Sequence, residues 1–193
     1  MGTLHLVRHG QAGFLAEDYD RLSALGRRQA ARLGEWLRAT GRPAAPAFSG
    51  GMRRHAETAE ACLAAWGVAP AVVVVEDAAF AEFDHMEVLG ARWPEFRTPG
   101  RLAGHLRAQG DPHRAFQHLF AASLDRWTGG GHDADYRESW PAFRERCVAA
   151  MHRVIAATPP SAAAWVFTSG GPIAVLCQHV LGLSDRTTLN LNA

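Results

Sequence analysis

The sequence predicts an α/β fold: a three-layer sandwich in which a mainly parallel sheet is flanked by helices, with a small helical cap inserted. Three observations carry this. Strand and helix patterns alternate from Leu4 to Val75. The run Val72-Val73-Val74-Val75 is continuously apolar and β-branched, the pattern of a strand covered on both faces. A further strand pattern, Ala162 to Thr168, runs directly into a helix pattern.

Leu4-His5-Leu6-Val7 reads as a short buried strand, because it is apolar and soon reaches a glycine. From Leu22 to Leu37, apolar residues recur at helical spacing through Leu25, Ala30, Leu33, Trp36 and Leu37, with Ser23 as N-cap. Pro43 to Ser49 supplies a second strand, and Arg53 to Trp66 a second amphipathic helix ended by Gly67. The valine run is the third strand. Between Phe83 and Tyr136 the alternation stops, and Trp93-Pro94, Thr98-Pro99-Gly100, Asp111-Pro112 and Gly129-Gly130-Gly131 punctuate short helical patterns, which we read as the cap. A long amphipathic helix then spans Glu138 to Ala157. Ala162 to Thr168 is the last strand, and Ile173 to Leu181 a last helix, with Pro172 in its first turn. Trp36, Trp66 and Trp165 fall on apolar faces and are assigned to the core, whereas one of Trp93, Trp127 and Trp140 could line a substrate pocket beside the cap.

At 193 residues and 48% hydrophobic, the chain can bury one substantial core, so residues 1–193 are read as a single domain with the cap at about 83–136. A formal charge of +1 with intermixed acids and bases argues against nucleic acid or an anionic membrane as a partner. Cys62, Cys147 and Cys177 are odd in number and in no CxxC pair, which fits neither a disulfide framework nor a zinc ribbon. No apolar stretch approaches the roughly 20 residues that span a bilayer, and Arg8 interrupts the first apolar segment, so a cytoplasmic protein is expected. Oligomeric state is left open.

The chemistry follows from convergence, since loops at the carboxyl ends of parallel strands meet at one edge of the sheet. Those loops carry Arg8-His9-Gly10, then Ser49-Gly50-Gly51 leading to Arg53 and Arg54, then Glu82, then Ser169-Gly170-Gly171. Guanidinium forks match phosphate oxygens, and amides at helix starts add donors. A histidine there can act as nucleophile and a carboxylate as proton donor. Phosphoryl transfer through phosphohistidine is therefore the leading expectation. His85, His105, His113, His118 and His132 crowd the cap without the pairing a zinc helix uses, so no metal or cofactor is expected. Gly129-Gly130-Gly131-His132 lacks the lysine and hydroxyl residue of a P-loop.

Taken in order, LHLVRHGQA, LSALGRRQAARLGEWL, SGGMRRHAETAEACL, FAEFDHME, ESWPAFRERCVAAM and VFTSGGPIAVL resemble the histidine phosphatase superfamily, also called the phosphoglycerate mutase-like family. The resemblance implies that His9 is phosphorylated and that Arg8 holds the phosphate. Arg54, four residues before Thr58, matches the family's second phosphate arginine better than Arg53 does. Glu82, two residues after Phe80, falls at the place of the proton donor, and Gly10, Gln11, Ser169 and Gly170 complete the phosphate-binding set. Where the family usually carries a second histidine, this sequence has Ser169, which keeps a hydrogen-bond donor and loses a charge. If that resembles loss of one oxyanion-hole donor, the rate falls on the order of 10²–10³. Gly13-Phe14-Leu15 lacks the polar residue of the sugar-phosphate mutases, so mutase activity on phosphoglycerate is not expected. The resemblance also leads one to look for a final edge strand, which Leu189-Asn190-Leu191-Asn192-Ala193 would leave short or missing.

The expected function is metal-independent hydrolysis of a phosphomonoester, on a phosphorylated small molecule or phosphopeptide. Its rival is a phosphate- or phosphoprotein-binding module of the same fold that turns over negligibly. Ser169 favours the module, and retention of both His9 and Glu82 favours the enzyme.

Overall fold

In the computed structural model, which describes residues 2–13 and 20–191, the apolar runs become four strands: β1 (Thr3–Arg8), β2 (Ala47–Ser49), β3 (Val74–Glu76) and β4 (Ala163–Thr168). All pair in parallel, in the order β1-β4-β2-β3. Alternation along β4 divides the molecule into layers. Trp165 and Phe167 pack with Val7, Ala47 and Val74 on one face, while Ala164 and Val166 pack with Leu4, Leu6 and Phe48 on the other.

The first face is covered by α1 (Ala24–Ala39) and α2 (Arg53–Trp66). Ser23 caps α1, accepting from the Gly26 amide, and Gly67 ends α2 with a φ of 82°. The two helices touch backbone to backbone at Gly34, where a Cβ would stand 2.1 Å from the Cys62 carbonyl oxygen. After the sheet's third strand come α3 (His85–Arg92), α4 (Pro99–Arg107) and α5 (Pro112–Thr128), and no strand is found among the described residues from 83 to 136. These helices hold a small core of their own, with Leu89, Phe96, Leu102 and Leu106 packed against Phe116, Leu119 and Phe120. The second sheet face is covered by α6 (Trp140–Ala157) and α7 (Gly170–Leu181), through Phe143, Cys147, Ala150, Val154, Val175 and Leu176. Finally α8 (Asp185–Leu191) is tied down by Asp185 Oδ1, which accepts from Trp140 Nε1 and Gln178 Nε2, each at 2.8 Å.

The three-layer α/β sandwich is thus as expected, and four local expectations are corrected. The valine run is not covered on both faces: β3 is an edge strand, shifted towards Glu76, with Val73 76% and Val75 52% exposed. Trp36 is 51% exposed, because the buried row of α1 passes through Gly26, Ala30, Gly34 and Leu37. Trp127 and Trp140 belong to the main core, 1% and 4% exposed, which leaves Trp93 as the partly exposed tryptophan beside the cap. Helix α7 starts three residues early, at Gly170, since proline in a first turn has no amide that needs a partner. The last described residues are helical, while Phe14, Leu15, Asn192 and Ala193, on which other expectations fell, lie outside the described residues. Among the described residues, no helix is long and apolar enough to cross a membrane.

Candidate active site

Register brings the carboxyl ends of the strands level. Arg8 pairs with Thr168, and Ser49 with both Phe167 and Glu76. The chain then turns over one edge, fastened by His9 N–H to the Thr168 carbonyl (2.9 Å) and Gly50 N–H to the Phe167 carbonyl (3.1 Å).

His9 is half-buried at the end of β1. Its Nδ1 lies 2.7 Å from the Gly10 carbonyl oxygen, which can only accept, so Nδ1 carries the hydrogen and Nε2 the lone pair. Burial lowers its pKa to about 4, and the charges of Arg54 and Arg8 push the same way against the Gly10 hydrogen bond and Asp20. Glu82 stands beyond a 3₁₀ turn (Ala78–Phe80) that Asp77 caps. Its Oε2 accepts from the Gly171 amide at 3.0 Å and Oε1 from its neighbour Phe83 at 3.2 Å. Only glycine admits that approach, for a Cβ on residue 171 would stand 2.0 Å from Oε1. Burial raises the Glu82 pKa, with the two amides and the charges of Arg54 and Arg8 opposing.

Arg54 is 3% exposed at the start of α2, and Arg53 beside it turns outward to Glu57 (3.0 Å). The Arg54 Nη1 donates to Asp20 Oδ1 at 2.9 Å, and its Nη2 lies 3.5 Å from Ser169 Oγ. Thr58 ties this helix to the β1 loop, its hydroxyl donating to the Arg54 carbonyl (2.6 Å) and accepting from Gly10 N–H (3.2 Å). Arg8 is exposed at the mouth, close enough to His9 and Glu82 for its charge to shift both. Gly170 opens α7, where the first amides of a helix have no intrahelical acceptor.

His9, Arg54, Glu82 and Ser169 are therefore gathered at one edge, with Arg8 at the rim. Two expected phosphate contacts are otherwise engaged. The Gly10 amide is given to Thr58, and Gln11 turns its amide oxygen to the Ser23 hydroxyl at 2.8 Å. Ser169 occupies the N-cap position of α7 without capping it: its hydroxyl faces His55.

The profile of the histidine phosphatase superfamily (branch 1) matches residues 4–192. The chain belongs to this superfamily. This histidine phosphatase superfamily member is similar to several solved structures. A phosphoglycerate mutase from Bacillus anthracis is 17% identical, with 91% of this chain and 78% of that one covered at a TM-score of 0.60. A mycobacterial glucosyl-3-phosphoglycerate phosphatase is 22% identical over 95% and 81%, at 0.56. YhfR of Bacillus stearothermophilus is 17% identical over 97% and 84%, at 0.61. At these identities the likeness is one of fold. No curated protein matches the chain.

In this superfamily member the sequence reading passed over three groups. His55, buried on α2, puts its ring 5.8 Å from that of His9 and its Nε2 2.6 Å from Ser169 Oγ. The available signal was position: His55 lies one turn before Ala59 on the row that continues through Cys62, Leu63 and Trp66 into the core. Asp20 pairs with Arg54, and the Arg146 guanidinium braces the Glu82 loop, donating to the carbonyls of Ala79 (2.8 Å) and Ala81 (2.9 Å) while Glu138 holds its other nitrogens. His85, of the cap histidines, feels the charge of Arg54.

Proposed function

We propose that this chain is a metal-independent phosphomonoester hydrolase working through a phosphohistidine at His9. The observation that carries the reading is the tethered imidazole: Nδ1 is held at the Gly10 carbonyl, leaving the Nε2 lone pair free at the sheet edge that also carries Arg54, Glu82 and Ser169.

Nε2 attacks phosphorus, an N–P bond forms, and the bond from phosphorus to the ester oxygen breaks. Glu82, whose raised pKa favours the protonated acid, gives its proton to the departing oxygen, which leaves as an alcohol. Water then attacks the phosphohistidine, the Glu82 carboxylate takes a proton from that water, the N–P bond breaks, and inorganic phosphate departs. Arg8 and Arg54 neutralise the phosphoryl oxygens, the Gly170 amide adds a donor, and positioning and charge supply most of the acceleration. Ser169 is in this reading the replacement of a second histidine, a hydroxyl where the family usually offers a charged donor. Substrates are phosphorylated small molecules or phosphopeptides.

The test is turnover of an aryl phosphate with and without chelator, together with acid-labile labelling from a radioactive phosphate ester. Turnover that survives chelator, with label and turnover both lost in His9→Ala, is expected. Hydrolysis undiminished in His9→Ala overturns the mechanism, and phosphate binding without turnover in the natural protein leaves the binding module in its place.

A further inference from the structure

A buried imidazole needs a reason, and that of His55 has a local one. Both His55 and Ser169 are completely buried, with Nε2 and Oγ 2.6 Å apart. The hydroxyl could have capped α7 and does not. Nδ1 of His55 is buried against the Gly50 backbone without a well-formed hydrogen bond. Gly50 makes the room, since a Cβ there would stand 2.6 Å from Nδ1 and 2.5 Å from the Phe80 carbonyl oxygen. Three elements are thus shaped around this ring: the loop after β2, the start of α2 and the start of α7.

We infer that His55 is a positioning residue that acts on the transferring phosphoryl group through the Ser169 hydroxyl, restoring across a buried relay the charged donor that serine alone lacks. The inference rests on the phosphohistidine reading of the site. A phosphate monoanion brings one hydroxyl proton into the pocket. As it seats, the O–H bond at the phosphoryl oxygen breaks and re-forms at Ser169 Oγ, while the original serine O–H breaks and an N–H forms at His55 Nε2. The products are a phosphoryl dianion and an imidazolium, with no proton gained or lost overall. The serine hydroxyl then donates to the phosphoryl oxygen and accepts from the charged ring behind it, so two side chains share the task of one. In the free site, burial first, then Arg54 and His9, hold the His55 pKa down to about 3; the dianion opposes the Arg54 charge when it arrives.

The natural protein provides the first test. Long-range proton–nitrogen spectra of the His55 ring, recorded near pH 6 with and without saturating inorganic phosphate, are expected to change from the neutral to the imidazolium pattern. A ring that stays neutral under saturation overturns the relay. Kinetics provide the second. His55→Asn and Ser169→Ala are each expected to lower kcat roughly 10²–10³-fold, as for loss of one oxyanion-hole donor, with KM little changed. The double variant should be no slower than either single one, because residues acting as a unit are not additive. In Ser169→His/His55→Ala, which moves the ring into α7 and vacates its old place, kcat should recover at least tenfold over His55→Ala. Natural protein that hydrolyses the aryl phosphate and labels at His9, while His55→Asn matches its kcat, sinks the relay and leaves the mechanism standing. Natural protein that never labels at His9 sinks both.

Discussion

Two residues of the site are pushed to opposite protonation states by the same cause. Burial lowers His9 to about 4 and raises Glu82 above the usual carboxylate range, so nucleophile and acid coexist in a mildly acidic window. The rate kcat/KM should therefore rise with pH through about 4 as His9 loses its proton, and fall as Glu82 loses its own. Glu82→Gln should erase the upper limb and slow alkyl phosphates by roughly 10²–10⁴-fold, while an aryl phosphate, whose leaving group needs no proton, slows far less. A full bell in that variant's pH profile would contradict the assignment. His9, Arg8, Arg54, Glu82 and Ser169 were legible because each follows a strand pattern or matches a spaced motif. His55 was not, because its significance lies in Ser169, 114 residues away in sequence and 2.6 Å away in space.

Among the elements, α1, α2 and α6 could be read because each carries an apolar stripe with a cap or a stop. The misreading of β3 has a physical source: four consecutive valines favour a strand equally at the centre of a sheet and at its margin, and only the strand order decides which. Trp36 was misplaced for a related reason, since a residue next to the buried row adds to the apolar count without facing the partner helix. The α1–α2 contact yields a quantitative expectation. Gly34→Ala gains about 1 kcal/mol of helix propensity but must displace a backbone oxygen, and overpacking costs about 1–3 kcal/mol. A net loss of up to about 2 kcal/mol in denaturant unfolding is expected, with catalytic constants unchanged.

For the molecule as a whole, the buried histidines set a stability that depends on pH. His55 is neutral in the folded state down to about 3 and protonates near 6.5 once unfolded, so the unfolded state binds more protons between these values. Its contribution is thus fully present above 6.5 and is lost progressively as pH falls towards 3. At roughly 1.4 kcal/mol per pH unit, lowering the pH from 7 to 5 should cost about 2 kcal/mol from this ring alone. His55→Asn should shrink the difference between unfolding curves at those two pH values by that amount, and an undiminished difference would exclude His55 as its source. The layered architecture was legible from the order of patterns along the chain, whereas strand order depends on long-range pairing that no local pattern encodes.

Strand order also governs when this protein can become itself. β4 lies between β1 and β2, and β1 ends at Arg8 while β4 begins at Ala163. At about 5–20 residues per second, the ribosome needs on the order of ten seconds to make the strand that β1 awaits. Until then the newborn chain holds an apolar ribbon with no neighbour, and the pocket around His9 cannot exist before β4 has been made.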